Sequence, residues 1–288
     1  MHEPLGSVAL VIPEPSSFFY SHPFDTDVAQ SVDAALVERS IVSVLLLAGV
    51  GRSSELAQAF LCSGKVDGAI LLNSRDDDPL LGRVLESGLP VVLLGSSPAG
   101  LNVDSVDIDN KEAAEIAVGH LISLGRRRIG TVTGNLRMTS GAERLMGYRE
   151  ALAAAAITAD PTLIEEGDYT ADRAFLATER LLVAHPDLDG LFAPSDVMAA
   201  AALRVLLRAH KRVPEDVALI GFDDSPISWN SRPPLTTIRQ PAKHMGREAV
   251  DLLVHRVEAP ESEPRRIVLS AELICRESTL GVQDEPYK

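Results

Sequence analysis

Few side chains in this 288-residue chain are spaced so that they could do chemistry, and each candidate can be tested against what a reaction requires. Gly49-Val50-Gly51-Arg52-Ser53-Ser54 follows an apolar run and opens a helical stretch, as a dinucleotide fingerprint does. The third glycine is missing, and the segment follows the second apolar run rather than the first, so an ordinary strand-to-helix turn is expected. Ser63-Gly64-Lys65 lacks the preceding glycine of a phosphate loop, and neither Gly-x-Ser-x-Gly nor His-Glu-x-x-His occurs. Asp76-Asp77-Asp78 has neither the alternating ligands nor the central glycine of a calcium loop and reads as a solvated loop. Cys62 and Cys275 fit no metal or redox spacing and are expected as buried thiols. These patterns support no catalysis, and neither cofactor nor metal is expected.

The balance of charge excludes a further class. The formal net charge is −14, whereas a surface that grips a phosphate backbone must be basic to neutralise it. Arg126-Arg127-Arg128 is too small a cluster to reverse that sign and is expected to be a solvated turn. The longest apolar runs, such as Ile41 to Ala48, fall well short of the roughly 20 residues a membrane helix needs. Met1 to Gly6 lacks the basic start of a secretory signal, so the cytoplasm is expected.

The elements that must position any site alternate in type. Short β-branched runs at Val8–Ile12, Val42–Leu47, Gly68–Leu72, Val91–Leu94, Ile129–Thr133, Gly190–Ala193 and Val217–Gly221 predict strands. Several are almost wholly apolar, as parallel strands covered on both faces are. Helical periods fill the gaps, at Thr26–Arg39, Ser53–Leu61, Pro79–Glu86, Asn110–Leu124, Gly141–Ala155, Ala171–Ala184 and Asp196–His210. Asp109 with Glu112 predicts a capped start for one helix, and Gly125 its end. The series runs twice. It then breaks into a short strand at Pro233–Ile238, a helix at Lys243–Val257 and a closing strand at Arg266–Cys275. The class is α/β, built as two units.

Six segments in a fixed order add a resemblance. They are Val66-Asp67-Gly68-Ala69-Ile70-Leu71, His120 to Gly130, Glu143 to Leu152, Val213 to Asp224, Pro234 to Pro241 and Glu272 to Thr279. Together they resemble the LacI/GalR (lactose-repressor) family of transcription regulators from Gly6 to Thr279, without the helix-turn-helix head. The resemblance implies a two-lobed, periplasmic-binding-protein-like (type I) fold, with parallel sheets flanked by helices on both faces and three interlobe crossings. One lobe would comprise residues 6–107 plus 240–267, and the other 108–239 plus 268–288.

By the same resemblance, a small effector, a sugar above all, binds between the lobes. Binding controls operator DNA through the head that this chain lacks, in a homodimer, with no membrane involved. Arg144 would clasp ligand oxygens and Asp223 would accept their protons. Tyr169 would stack on the ligand ring, and Phe24, placed just before the first long helix, would add a second aromatic. Ser195 stands where the family usually carries an asparagine, which implies a ligand or pose off the common pattern, with Asp196 expected as the helix cap. Arg144 would line a wet cleft, so its loss is expected to spare folding. The alternatives are an exported sugar-binding protein of a transporter and, more remotely, an enzyme using Asp223 or His120 as base.

Overall fold

A computed structural model describes residues 5–49, 51–72, 79–97 and 101–281; Asp76-Asp77-Asp78 lies outside them. In chain order the first elements are β1 (Ser7–Ile12), α1 (Ser16–Ser21), α2 (Pro23–Val37), β2 (Val42–Leu47), α3 (Arg52–Leu61), β3 (Gly68–Leu72), α4 (Pro79–Glu86), β4 (Val91–Leu94) and β5 (Asp104–Ile108). There follow α5 (Asn110–Ser123), β6 (Ile129–Thr133), α6 (Thr139–Ala154), β7 (Ile164–Glu166), α7 (Ala171–Ala184), β8 (Gly190–Phe192), α8 (Asp196–Arg208) and β9 (Ala218–Asp223). The last are α9 (Pro226–Asn230), β10 (Thr236–Arg239), α10 (Ala242–Glu258), β11 (Arg266–Leu269), β12 (Glu272–Ile274) and α11 (Glu277–Leu280).

The chain divides into two units. One runs to Ile108 and takes in residues 137–139 and Pro241–Leu269; the other holds Asp109–Leu136, Ser140–Gln240 and the residues from Ser270. Each contains a six-stranded sheet, ordered β11-β5-β4-β3-β1-β2 in the first and β12-β10-β9-β8-β6-β7 in the second. All pairings are parallel except β10 with β12. Arg266–Cys275 is therefore two strands rather than one, each completing a different sheet. The centre of the first sheet, β3, β4 and β5, is buried at every residue, as parallel strands covered on both faces require.

The helix ends follow local chemistry. Asp109 accepts from Glu112 N at 2.8 Å to open α5, and Gly125, at φ 84°, lets Arg126 N reach Leu121 O and close it. A Cβ on Gly147 would lie 2.2 Å from Lys111 O, so only glycine there lets α6 approach α5 this closely.

Several expectations need correction. Ser16–Ser21, assigned no element from the sequence, forms α1, held by Phe18 stacked on His22 with ring centroids 3.6 Å apart. Phe24 lies inside α2, because Pro23 takes the first helical position, where its fixed φ and missing N–H cost nothing. Cys62 and Cys275 are exposed; one ends a helix and the other follows an edge strand. The arginine turn is tied down rather than solvated. Arg126 donates to Pro214 O at 2.6 Å, Arg127 N and Arg128 N bond Asp189, and Arg128 donates to His185. In the first unit, Asp104 on β5 is buried and accepts from Arg256 Nε at 2.6 Å and Arg265 N at 2.8 Å.

Candidate functional site

Strands β9, β8, β6 and β7 run parallel, so their carboxyl ends share one edge of the second sheet. Ligands of open α/β sheets bind at that edge, because the loops leaving it carry side chains free of the ladder. Four of the five sequence-predicted residues gather there. Phe24 belongs to the other unit, where it is half-buried.

Arg144, on the helix after β6, is only 6% exposed. Its Nε donates to Asn110 Oδ1 at 2.9 Å and its Nη1 to Pro194 O at 2.8 Å, while the guanidinium lies 3.7 Å from the ring centre of Phe222. Stacking on an aromatic face suits this weakly hydrated planar cation. The expected solvent-lining arginine is thus an anchored one, built into the second unit by α5, β9 and the loop after β8.

Tyr169, in the loop after β7, is buried, with its ring centre 6.0 Å from the Arg144 guanidinium. Its ring rests against Gly134, where a Cβ would meet Cζ at 2.1 Å. Asp168 and Tyr169 both have positive φ, at 52° and 57°, a conformation that typically costs side-chain-bearing residues about 1–3 kcal/mol each. A second such pair ends β9, with Asp223 at φ 107° and Asp224 at 56°. Gln240 Nε2 donates to Asp223 Oδ1 at 2.8 Å. Asp224 is pinned by Arg239 at 2.7 Å and Arg276 at 2.5 Å, which makes it the structural member of the pair.

The cap of α8 falls to Ser195 rather than to Asp196. Ser195 caps α8, accepting from Met198 N at 3.2 Å, because its extended φ of −162° aims the hydroxyl along the helix start. Asp196, the first helical residue, turns inward. Its Oδ2 accepts from Ser225 N at 2.7 Å and Ser225 Oγ at 3.0 Å, and its Oδ1 from Thr237 Oγ1 at 2.7 Å. Burial, then the negative charge of Asp223, pushes the Asp196 carboxyl well above the usual carboxylate range.

The folded state therefore holds this proton more tightly than the unfolded chain does. The stability it contributes is present at acid pH and is lost as pH rises through the raised value. Asp196→Asn is expected to flatten the decline of stability with rising pH, measured by urea unfolding at several pH values. A slope equal to the parent's would refute the assignment.

Sequence reasoning missed Asn110, Phe222 and Gln240. Each sits inside a motif that was noticed, but as helix start, strand or segment end, where polar or aromatic character alone signals no contact. His120 bonds Thr279 Oγ1 at 3.0 Å, and burial lowers its pKa. Among the described residues no three His, Cys, Asp or Glu side chains are placed to hold a metal, and no helix is long and apolar enough to cross a membrane.

Comparison with known proteins gives this arrangement a context. Residues 118–279 match the family described as periplasmic binding protein-like domain. The HTH-type transcriptional regulator CelR of Thermobifida fusca is 43% identical over 275 residues, covering 94% of this chain and 81% of that protein. The solved structure of a transcriptional regulator CelR-cellobiose complex is similar with a TM-score of 0.91 at 42% identity, over 96% of this chain and 86% of that one. A LacI family transcriptional regulator from Mycobacterium smegmatis is similar with a TM-score of 0.85 at 28% identity, over 94% and 98%. The chain thus has the two-lobed periplasmic-binding-protein-like fold.

Proposed function

Since the chain belongs to the LacI family of transcriptional regulators, we propose that it binds a sugar effector, a disaccharide of the cellobiose class, and does not turn it over. The carrying observation is Arg144. Two of its nitrogens are spent on the protein, which fixes the guanidinium plane at the strand ends beside Tyr169 and Phe222. Its Nη2 then serves a ligand hydroxyl, Asp223 accepts from another, and the Tyr169 ring meets the apolar C–H face of a pyranose. Ser195, whose oxygen already accepts from Met198 N, keeps its proton and one lone pair to offer.

The likeness to a regulator solved with cellobiose supports this choice of sugar. Effector occupancy then changes how DNA-binding heads, carried outside these residues in a cytoplasmic homodimer, engage an operator. This is allostery if ligand and operator bind the two states of the protein differently.

A thermal-shift series with cellobiose, ribose and a purine as probes tests the reading. Cellobiose at about 100 times its dissociation constant is expected to add about 2.7 kcal/mol of stability. Stabilisation by the purine and by neither sugar would sink the sugar assignment.

A further inference from the structure

We propose that Asp196 is a positioning residue of the ligand site, holding the turn between β9 and α9 so that Asp223 is presented to the effector. The inference rests on the reading of Asp223 as a ligand acceptor. It starts from a problem of backbone conformation. Asp223 and Asp224 are consecutive residues with side chains in the left-handed region, where chains with a Cβ do not rest unaided. Such a pair persists only if neighbouring bonds over-determine it.

Three sets of bonds do so. Asp224 is held by Arg239 and Arg276. Gln240 holds Asp223 by its carboxylate. Asp196 holds the next residue of the turn, taking both the N–H and the hydroxyl of Ser225 on one oxygen. Its other oxygen takes Thr237 Oγ1 from the adjacent strand β10, so one carboxylate ties the turn to the sheet. The clamp is built in from both sides. Asp196 is 1% exposed, and β9 carries glycine at 221, where a Cβ would come within 2.4 Å of Asp196 Oδ1. A helix cap needs none of this, and Ser195 already caps α8. Asp196 therefore acts on the ligand through Asp223, without touching it.

The test uses cellobiose as probe, with calorimetry on Asp196→Ala, Asp196→Asn, Asp223→Ala and the double variant Asp196→Ala/Asp223→Ala. Asp196→Ala is expected to weaken binding about tenfold, roughly what the net loss of one or two hydrogen bonds costs. Asp196→Asn, which can still accept from Ser225, is expected to restore most of the affinity. The Asp196→Ala loss should vanish in the Asp223→Ala background, a non-additivity that a merely structural residue would not show.

Full affinity in Asp196→Ala, or losses that multiply in the double variant, would overturn the proposal. If Asp196→Ala does not fold, Thr237→Val removes one arm of the clamp and should weaken binding in the same direction; unchanged affinity there counts against it. Should the unaltered chain ignore cellobiose, the effector reading fails separately. The clamp is then judged by a crystal structure of Asp196→Ala or Thr237→Val, in which retained positive φ at both 223 and 224 refutes it.

Discussion

Arg144→Ala is expected to abolish cellobiose binding and also to destabilise the second unit by about 2–4 kcal/mol. The first effect comes from removing the planar donor at the centre of the strand-end site. The second comes from the groups the arginine leaves behind. Asn110 loses its hydrogen bond from Nε, the Pro194 carbonyl loses its bond from Nη1, and the face of Phe222 loses a packed guanidinium. A buried acceptor that loses its donor costs about 1–3 kcal/mol, less at Asn110, which keeps other contacts, and the cavity adds to that. Urea unfolding alongside calorimetry separates the two effects. Arg144→Lys keeps the charge but not the fork, so it should recover part of the stability and little of the binding. A variant that loses binding at unchanged stability would mean the arginine is a surface group after all.

In the first unit the largest expected effect is at Asp104. Its carboxylate is 2% exposed and its partner Arg256 15%, so the pair is largely withdrawn from water. Asp104→Ala strands the guanidinium and the N–H of Arg265, and a loss of about 3–5 kcal/mol is expected. The double variant Asp104→Leu/Arg256→Met should be milder than the single one, because packed apolar side chains carry no desolvation penalty. Chemical unfolding of the three proteins decides the point. If the single variant loses less than about 1 kcal/mol, the pair behaves as a surface bridge and its burial has been misjudged.

These two residues also mark where sequence reading stopped. The apolar strands and amphipathic helices were legible because burial on two faces or one leaves a period in the residue types. β5 was not, since Asp104, Ser105 and Asp107 interrupt its apolar pattern while all three are buried. The compensation lies in Arg256 and Arg265, about 150 residues away, and in Ser96, whose hydroxyl donates to Asp107 at 2.6 Å. No local window reaches the two arginines. α1 escaped because six residues make too short a period to recognise. At the candidate site, Arg144, Tyr169, Ser195 and Asp223 were named from the family resemblance, but their burial and partners were not legible. The cap was placed one residue late for a related reason. Serine and aspartate cap equally well, and the choice here is made by Ser225 and Thr237, both distant in sequence.

The first unit is discontinuous, and this sets a schedule for its birth on the ribosome. Its sheet and helices through Ile108 emerge early, yet α10, which packs on α2, β3, β4 and β5, begins only at Ala242. At about 5–20 residues per second, the intervening residues 109–240 take about 7–26 s to synthesise. For that interval Asp104 has no Arg256 and the apolar side of the nascent sheet has no cover. The second unit, whose interior helices and strands arrive in one run, can condense first. The nascent chain is thus most open to chaperone capture, or to wrong pairing along β5, while its partner strand β11 is still untranslated.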